Sequence, residues 1–132
     1  MAKLIDANVI LRHLLRDSEE QSEQARIIIA GGAYTTTEVL AEVVYVLEKV
    51  YHVPREKIGN ALSALLGEVS ADYADAVIKA LDIFKTRRLD FVDCVLIGRA
   101  CVLGADVFTF DKKLNAALRQ HLNGDSSAAY GG

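Results

Sequence analysis

In the stretch AKLIDANVILRHLL, residues 2–15, the hydrophobic pattern changes period at Asp6. AKLI is a short apolar run of the kind that forms a strand, whereas Asn8 to Leu15 place apolar residues at helical spacing. The hand-over from strand to helix then recurs. A strand at about 33–35 precedes a helix opening at Thr35-Thr36-Thr37-Glu38, and Val69-Ser70-Ala71 precedes the helical repeat of Ala74, Val77, Ile78, Leu81 and Phe84. Asp106 to Phe110 reads as a last strand, followed by a short helix from Lys112 to about His121. Strands separated by helices cannot close tight hairpins. The pattern therefore predicts an α/β fold with a short, mainly parallel central sheet and helices on both faces.

The remaining segments fill in that frame. Ser18-Glu19-Glu20-Gln21 is a capping-box start for a second helix that stops near Gly31-Gly32. Thr35 and Glu38 have the same spacing, and their helix should continue to about Tyr51. Pro54 suits the first turn of the next helix, whose stripe is Ile58, Ala61, Leu62, Leu65 and Leu66. Phe91 to Leu103 is apolar nearly all round, which predicts a buried helix ended by Gly104. Residues 1–122 are expected to form one domain. The tail NGDSSAAYGG, 123–132, is small and polar and is expected to be disordered.

The 132 residues are 52% hydrophobic and 25% charged, a composition that fits a globular chain. No apolar run approaches the roughly 20 residues that cross a bilayer, and no signal-peptide pattern opens the chain, so no membrane role and a cytoplasmic location are expected. A formal charge of −3 neither supports nor excludes nucleic acid, because a basic face can hide in an acidic total. Cys94 and Cys101, seven apart, are expected as buried thiols. No Cys/His zinc spacing accompanies them. His13, His52 and His121 share no pattern and read as surface residues.

Four carboxylates stand alone in apolar runs: Asp6 after AKLI, Glu42 inside VLAEVVYVL, Asp93 inside FVDCVLIG and Asp111 after VFTF. An ionised carboxylate taken out of water costs several kcal/mol unless a cation or strong donors compensate it. Apart from Lys3 in the first, no Lys or Arg lies within those runs. A shared divalent metal is the simplest single remedy, and oxygen-only ligands without a side-chain nucleophile point to hydrolysis of a phosphodiester by water that the metal activates. Each acid also has a plainer reading. Asp6 and Asp111 are placed to cap helices, Asp90 and Asp93 could cap and complement a helix dipole, and Glu38, Glu42 and Tyr45 could share an exposed stripe. Asn8 could be a cap or could support Asp6. Thr109 could supply a supporting hydroxyl beside Asp111.

The segments DANVIL (6–11), TEVLAEVVYVL (37–47), DFVDCVLI (90–97) and TFDKKL (109–114), in this order, resemble the PIN-domain ribonucleases, particularly VapC-type toxins of toxin–antitoxin modules. The resemblance covers about residues 2–120. It implies a PIN-like three-layer α/β/α fold and an acidic metal site on Asp6, Glu42, Asp93 and Asp111, all four present, with Asn8 and Thr109 in support. It further implies an Mg²⁺- or Mn²⁺-dependent endoribonuclease acting on RNA, a homodimer, and a cognate antitoxin partner. Asp90 competes with Asp93 for the ligand role. Candidate RNA contacts are Arg12, Arg16, Lys85, Arg87, Arg88, Lys112, Lys113 and Arg119, each with a solvated charge as its plainer reading. Three other functions fit the scaffold: a PIN nuclease of RNA processing without an antitoxin, an aspartyl phosphatase, and a non-enzymatic receiver-like or interaction module. The phosphatase would want a second acid where Asn8 stands, and the receiver would want adjacent acids at the first strand.

Overall fold

The computed structural model describes the backbone of residues 2–129 and the side chains of residues 2–123. Two compact units partition the chain, Met1–Ala74 and Asp75–Gly132. The first holds β1 (Lys3–Leu4), α1 (Ala7–Leu15), α2 (Glu19–Ala30), β2 (Ala33–Thr35), α3 (Thr37–Lys49), α4 (Arg55–Leu65) and β3 (Ser70–Ala71). The second holds α5 (Ala74–Thr86, beginning at the boundary), α6 (Phe91–Leu103) and α7 (Lys112–Ala129).

The three strands form one parallel sheet in the order β1-β2-β3, with Lys3 opposite Ala33 and Thr35 opposite Ala71. The parallel expectation holds because each strand is returned to the same direction by at least one helix. Backbone pairing continues past the formal ends, since the Ile5 amide donates to the Tyr34 carbonyl at 2.9 Å. Thr35, the one buried polar residue among those described, donates its hydroxyl to the Ile5 carbonyl at 3.2 Å. That bond satisfies a group whose burial would otherwise be costly, and it fixes the end of β1 from which Asp6 departs.

α1 packs on α2 and α3, burying Ala7, Ile10 and Leu11, and α3, which buries Leu40, Val43, Val44 and Leu47, also packs on α4. In the second unit Gly98 brings α6 against α5. A Cβ on Gly98 would lie 2.4 Å from the Ala76 carbonyl oxygen, a distance no side chain tolerates. Phe84 and Phe91 meet edge to face with centroids 6.0 Å apart. Gly104 ends α6 in the left-handed region at φ 69°, as its position after the last apolar residue predicts.

Several expectations are corrected. The cap of α3 is Thr36, whose hydroxyl accepts from the Val39 amide at 3.2 Å; Thr35 is committed to the sheet and cannot serve. Glu38 is therefore one position early for a capping box. The same helix ends at Lys49, short of Tyr51, and Pro54 caps α4 from outside with φ −59° and ψ 145°. Asp106 to Phe110 form no strand: the alternation is there, but the segment has no ladder partner among the described residues. Phe108 and Phe110 consequently stand 92% and 106% exposed. α7 runs on to Ala129, beyond the expected end near His121. Of the tail at 123–132, residues 130–132 lie outside the described residues.

Candidate active site

In the first unit the chain leaves the sheet at Asp6 with extended backbone and enters α1, and Asp6 Oδ1 accepts from the Val9 amide at 3.1 Å. The cap reading of Asp6 is thus what one carboxylate oxygen does. The second oxygen is not used by the cap. Asn8 lies exposed in the first turn of α1 and is not its cap. Glu42 sits on the outer face of α3, exposed with Glu38 and Tyr45, while Leu40, Val43 and Val44 turn inward. Apolar neighbours in sequence are not neighbours in space, and this stripe is the plainer reading of Glu42 realised.

In the second unit three acids interact. Asp90 precedes α6 but makes no side-chain cap bond, so its carboxylate is left to act on Asp93 one turn along. Asp93 is partly buried, and its carboxyl is pushed above the ordinary aspartate range, first by burial, then by the negative charges of Asp90 and Asp111, with Lys113 pulling the other way. Asp111 is exposed and caps α7, its Oδ1 accepting from the Leu114 amide at 2.8 Å. The Thr109 hydroxyl accepts from the Asp111 amide at 3.0 Å, and Asn115 donates to the Thr109 carbonyl at 2.9 Å. Lys113 Nζ donates to the Arg88 carbonyl, which holds the ammonium at the start of α6.

The idea that all four acids are buried is therefore corrected. Only Asp93 is even partly so, because Asp6 and Asp111 stand at element ends and Glu42 on an outward helix face. Two smaller expectations also change. Cys94 is buried but Cys101 is half-exposed. Of the histidines only His52 is exposed, and His13 is largely covered and lies 3.2 Å from Glu68.

Among the described residues no group of three or more His, Cys, Asp or Glu side chains is gathered closely enough to hold a metal ion. The donor chemistry nonetheless fits one class of ion. Every candidate ligand is a hard oxygen donor, and the crowding that raises Asp93 is the condition that a divalent cation relieves. Asp93 and Asp111 would hold such an ion from the second unit; Asp6 and Glu42 are the acids of the first.

One feature escaped the sequence: a cavity of about 150 Å³ between α1 and α2, bounded on its polar side by Asn8, Arg12, Gln21 and Gln24. Gln21 and Gln24 are three apart on one face of α2. That spacing was the available signal, masked by the role of Gln21 in the capping pattern at Ser18.

No helix among the described residues is long and apolar enough to cross a membrane. No curated protein and no solved structure matches the chain. The family model described as PIN domain matches residues 3–118, a span that contains Asp6, Glu42, Asp93 and Asp111 and runs through both units. PIN domains are generally nucleases and so hydrolases, which the oxygen-rich, nucleophile-free set of residues agrees with. With its parallel three-stranded sheet and a match over nearly its whole length, the chain belongs to the PIN-domain family.

Proposed function

We propose that this protein is an Mg²⁺- or Mn²⁺-dependent endoribonuclease, and that Asp6, Glu42, Asp93 and Asp111 hold the metal, with Asn8 and Thr109 in support. The observation that carries the reading is Asp93: a partly buried carboxylate crowded by Asp90 and Asp111 on a scaffold of nuclease type. A bound divalent cation would supply the acidity that activates water and the positive charge that a phosphodiester needs near its transition state.

The chain's own residues divide the remaining work. Capping occupies Oδ1 of Asp6 and of Asp111 and thereby fixes both carboxylates, leaving Oδ2 of each for a ligand. Thr109 keeps Asp111 at the first position before α7 by holding its amide. Lys113, tethered to the Arg88 carbonyl, is a fixed cation beside the acids and suits a phosphate oxygen of the substrate.

The finer reading is a toxin of the VapBC type: a cytoplasmic homodimer paired with a cognate antitoxin. It rests on the resemblance of the four segments quoted above. A PIN nuclease of RNA processing is the alternative. Purified protein freed of any partner should cleave single-stranded RNA in Mg²⁺ or Mn²⁺ and be silent in EDTA, with Asp6→Asn as the contamination control. Cleavage that chelator leaves undiminished and that Asp6→Asn lacks would overturn the metal mechanism. Growth arrest on expression of wild type but not of Asp93→Asn, together with a small co-purifying partner, separates toxin from processing enzyme.

A further inference from the structure

We infer that the cavity between α1 and α2 is a nucleobase pocket that selects which RNA sequence is cut; this rests on the nuclease reading above and adds a specificity determinant to it. The cavity measures about 150 Å³. That is a volume in which a single six-membered aromatic ring is accommodated. Val9, Ala25 and Ile28 supply an apolar wall for the face of such a ring.

The polar edge is unusual in being almost wholly carboxamide. Asn8, Gln21 and Gln24 each bring one acceptor and an NH₂ group to the same opening, and no side-chain hydrogen bond occupies these carboxamides among the described residues. Paired donors and acceptors on a short fork are what the edge of a base presents and what Asn and Gln read. Arg12 adds a planar guanidinium. Its Nη1 is bound to Asp17 Oδ1 at 2.7 Å, which fixes the plane, while its Nε is buried and has no partner among the described residues. A buried unsatisfied donor costs free energy until something accepts from it, and a base carbonyl or ring nitrogen would.

The chemistry favours a neutral heterocycle over an anion. The one cation at the pocket is already paired with Asp17, so a phosphate would find that charge offset and three neutral amides beside it. Placement supports the link to cleavage: Asn8 is two residues beyond Asp6, on the first turn of the same helix. A base held here would fix the register of the strand relative to Asp6.

The test measures binding apart from cutting. Wild type, the double variant Gln21→Leu/Gln24→Leu and Arg12→Lys are titrated in EDTA against labelled RNA hexanucleotides of uniform A, C or U and one alternating G and U. Wild type should show a spread of about tenfold or more in Kd between the best and worst sequence, because one well-made bidentate base contact discriminates by that order. The double variant should collapse the spread to about twofold by strengthening nothing and weakening only the preferred sequence, with an unchanged circular dichroism spectrum. Arg12→Lys, which keeps the charge and loses the plane, should fall between them. A wild type without spread, or a double variant that keeps it, overturns the pocket. Preference in binding without cleavage in Mg²⁺ or Mn²⁺ would sink the nuclease reading and leave the pocket standing. Identical cleavage sites for wild type and the double variant would do the reverse.

Discussion

Asp93 in the second unit is held in the opposite way to the acids of the first, whereas Asp111 is an exposed helix cap like Asp6. In residues 1–74, Asp6 is an exposed helix cap and Glu42 an exposed residue of an outward stripe, so local structure accounts for both without strain. In residues 75–132, Asp93 is partly buried against Asp90 and Asp111 and pays for it in proton affinity. A carboxylate that satisfies its fold says little about function, whereas one that its fold penalises asks what offsets the penalty. The difference teaches that Asp93 is the physical anchor of the functional reading, and that Asp6 and Glu42 enter through the family's pattern.

The largest expected effect tests whether the two kinds of acid nevertheless serve one reaction. Asp6→Asn, Glu42→Gln and Asp93→Asn should each lower RNA cleavage by about a hundredfold or more, since each removes a charge from the proposed metal site, and such a charge contributes several kcal/mol to transition-state stabilisation. Single-turnover cleavage of one labelled RNA, with folding checked by thermal melting, measures all three. Glu42→Gln with more than half the wild-type rate would show that the exposed stripe is surface and that the site lacks this residue.

Next in size is a contrast in packing between the units. Gly98→Ala should destabilise by about 1–3 kcal/mol or more, because its Cβ would sit 2.4 Å from the backbone oxygen of Ala76, which cannot swing away like the tip of a side chain. Gly31→Ala, at φ −80° with the carbonyl oxygens of Ile27 and Ile28 at 3.5 and 3.6 Å from the added Cβ, should be neutral or stabilising by up to about 1 kcal/mol through the unfolded chain. Urea melts of both read the comparison directly. Equal midpoints would mean that α5 and α6 do not approach at Gly98 as closely as described.

How much of this was legible follows from which signals are local. Caps and glycine stops were readable at Ser18 and Gly104, because a hydroxyl before a helix and a left-handed residue after it are decided within a few residues. Thr35 and Thr36 show where that fails: three threonines in a row offer equal caps, and only the buried bond from Thr35 to Ile5 removes one from contention. The Asp106–Phe110 alternation carries strand periodicity, but a strand exists only with a partner, and pairing is not a local property. The four acids were legible as candidates. Their exposure was not, since it depends on which way α3 faces and where α1 and α7 begin. The carboxamide cavity needed α2 laid against α1 before Asn8 and Gln24 could meet.

The smallest effect is the most direct reading of the difference between Asp6 and Asp93, and it concerns the metal-free protein. Burial and the neighbouring acids raise the folded-state pKa of Asp93 above the value of about 4 that an unfolded aspartate has. Between those two values the folded state binds more protons than the unfolded state. Stability in EDTA should therefore fall as pH rises from about 4 through the raised pKa, and the cost should be fully present above it. Asp93→Asn removes that titration, so the variant should melt higher than wild type at pH 7 and level with it near pH 4. Asp6→Asn is the contrast at pH 7, where it should melt close to wild type, because Asn caps a helix as well as Asp does. Thermal melts of the three proteins in EDTA at the two pH values are sufficient. If Asp93→Asn melts lower than wild type at pH 7, Lys113 outweighs Asp90 and Asp111, and Asp93 is held by its surroundings rather than penalised by them. In that event the contrast between the units disappears, and the case for a cation at Asp93 would rest on the family pattern as it already does for Asp6 and Glu42.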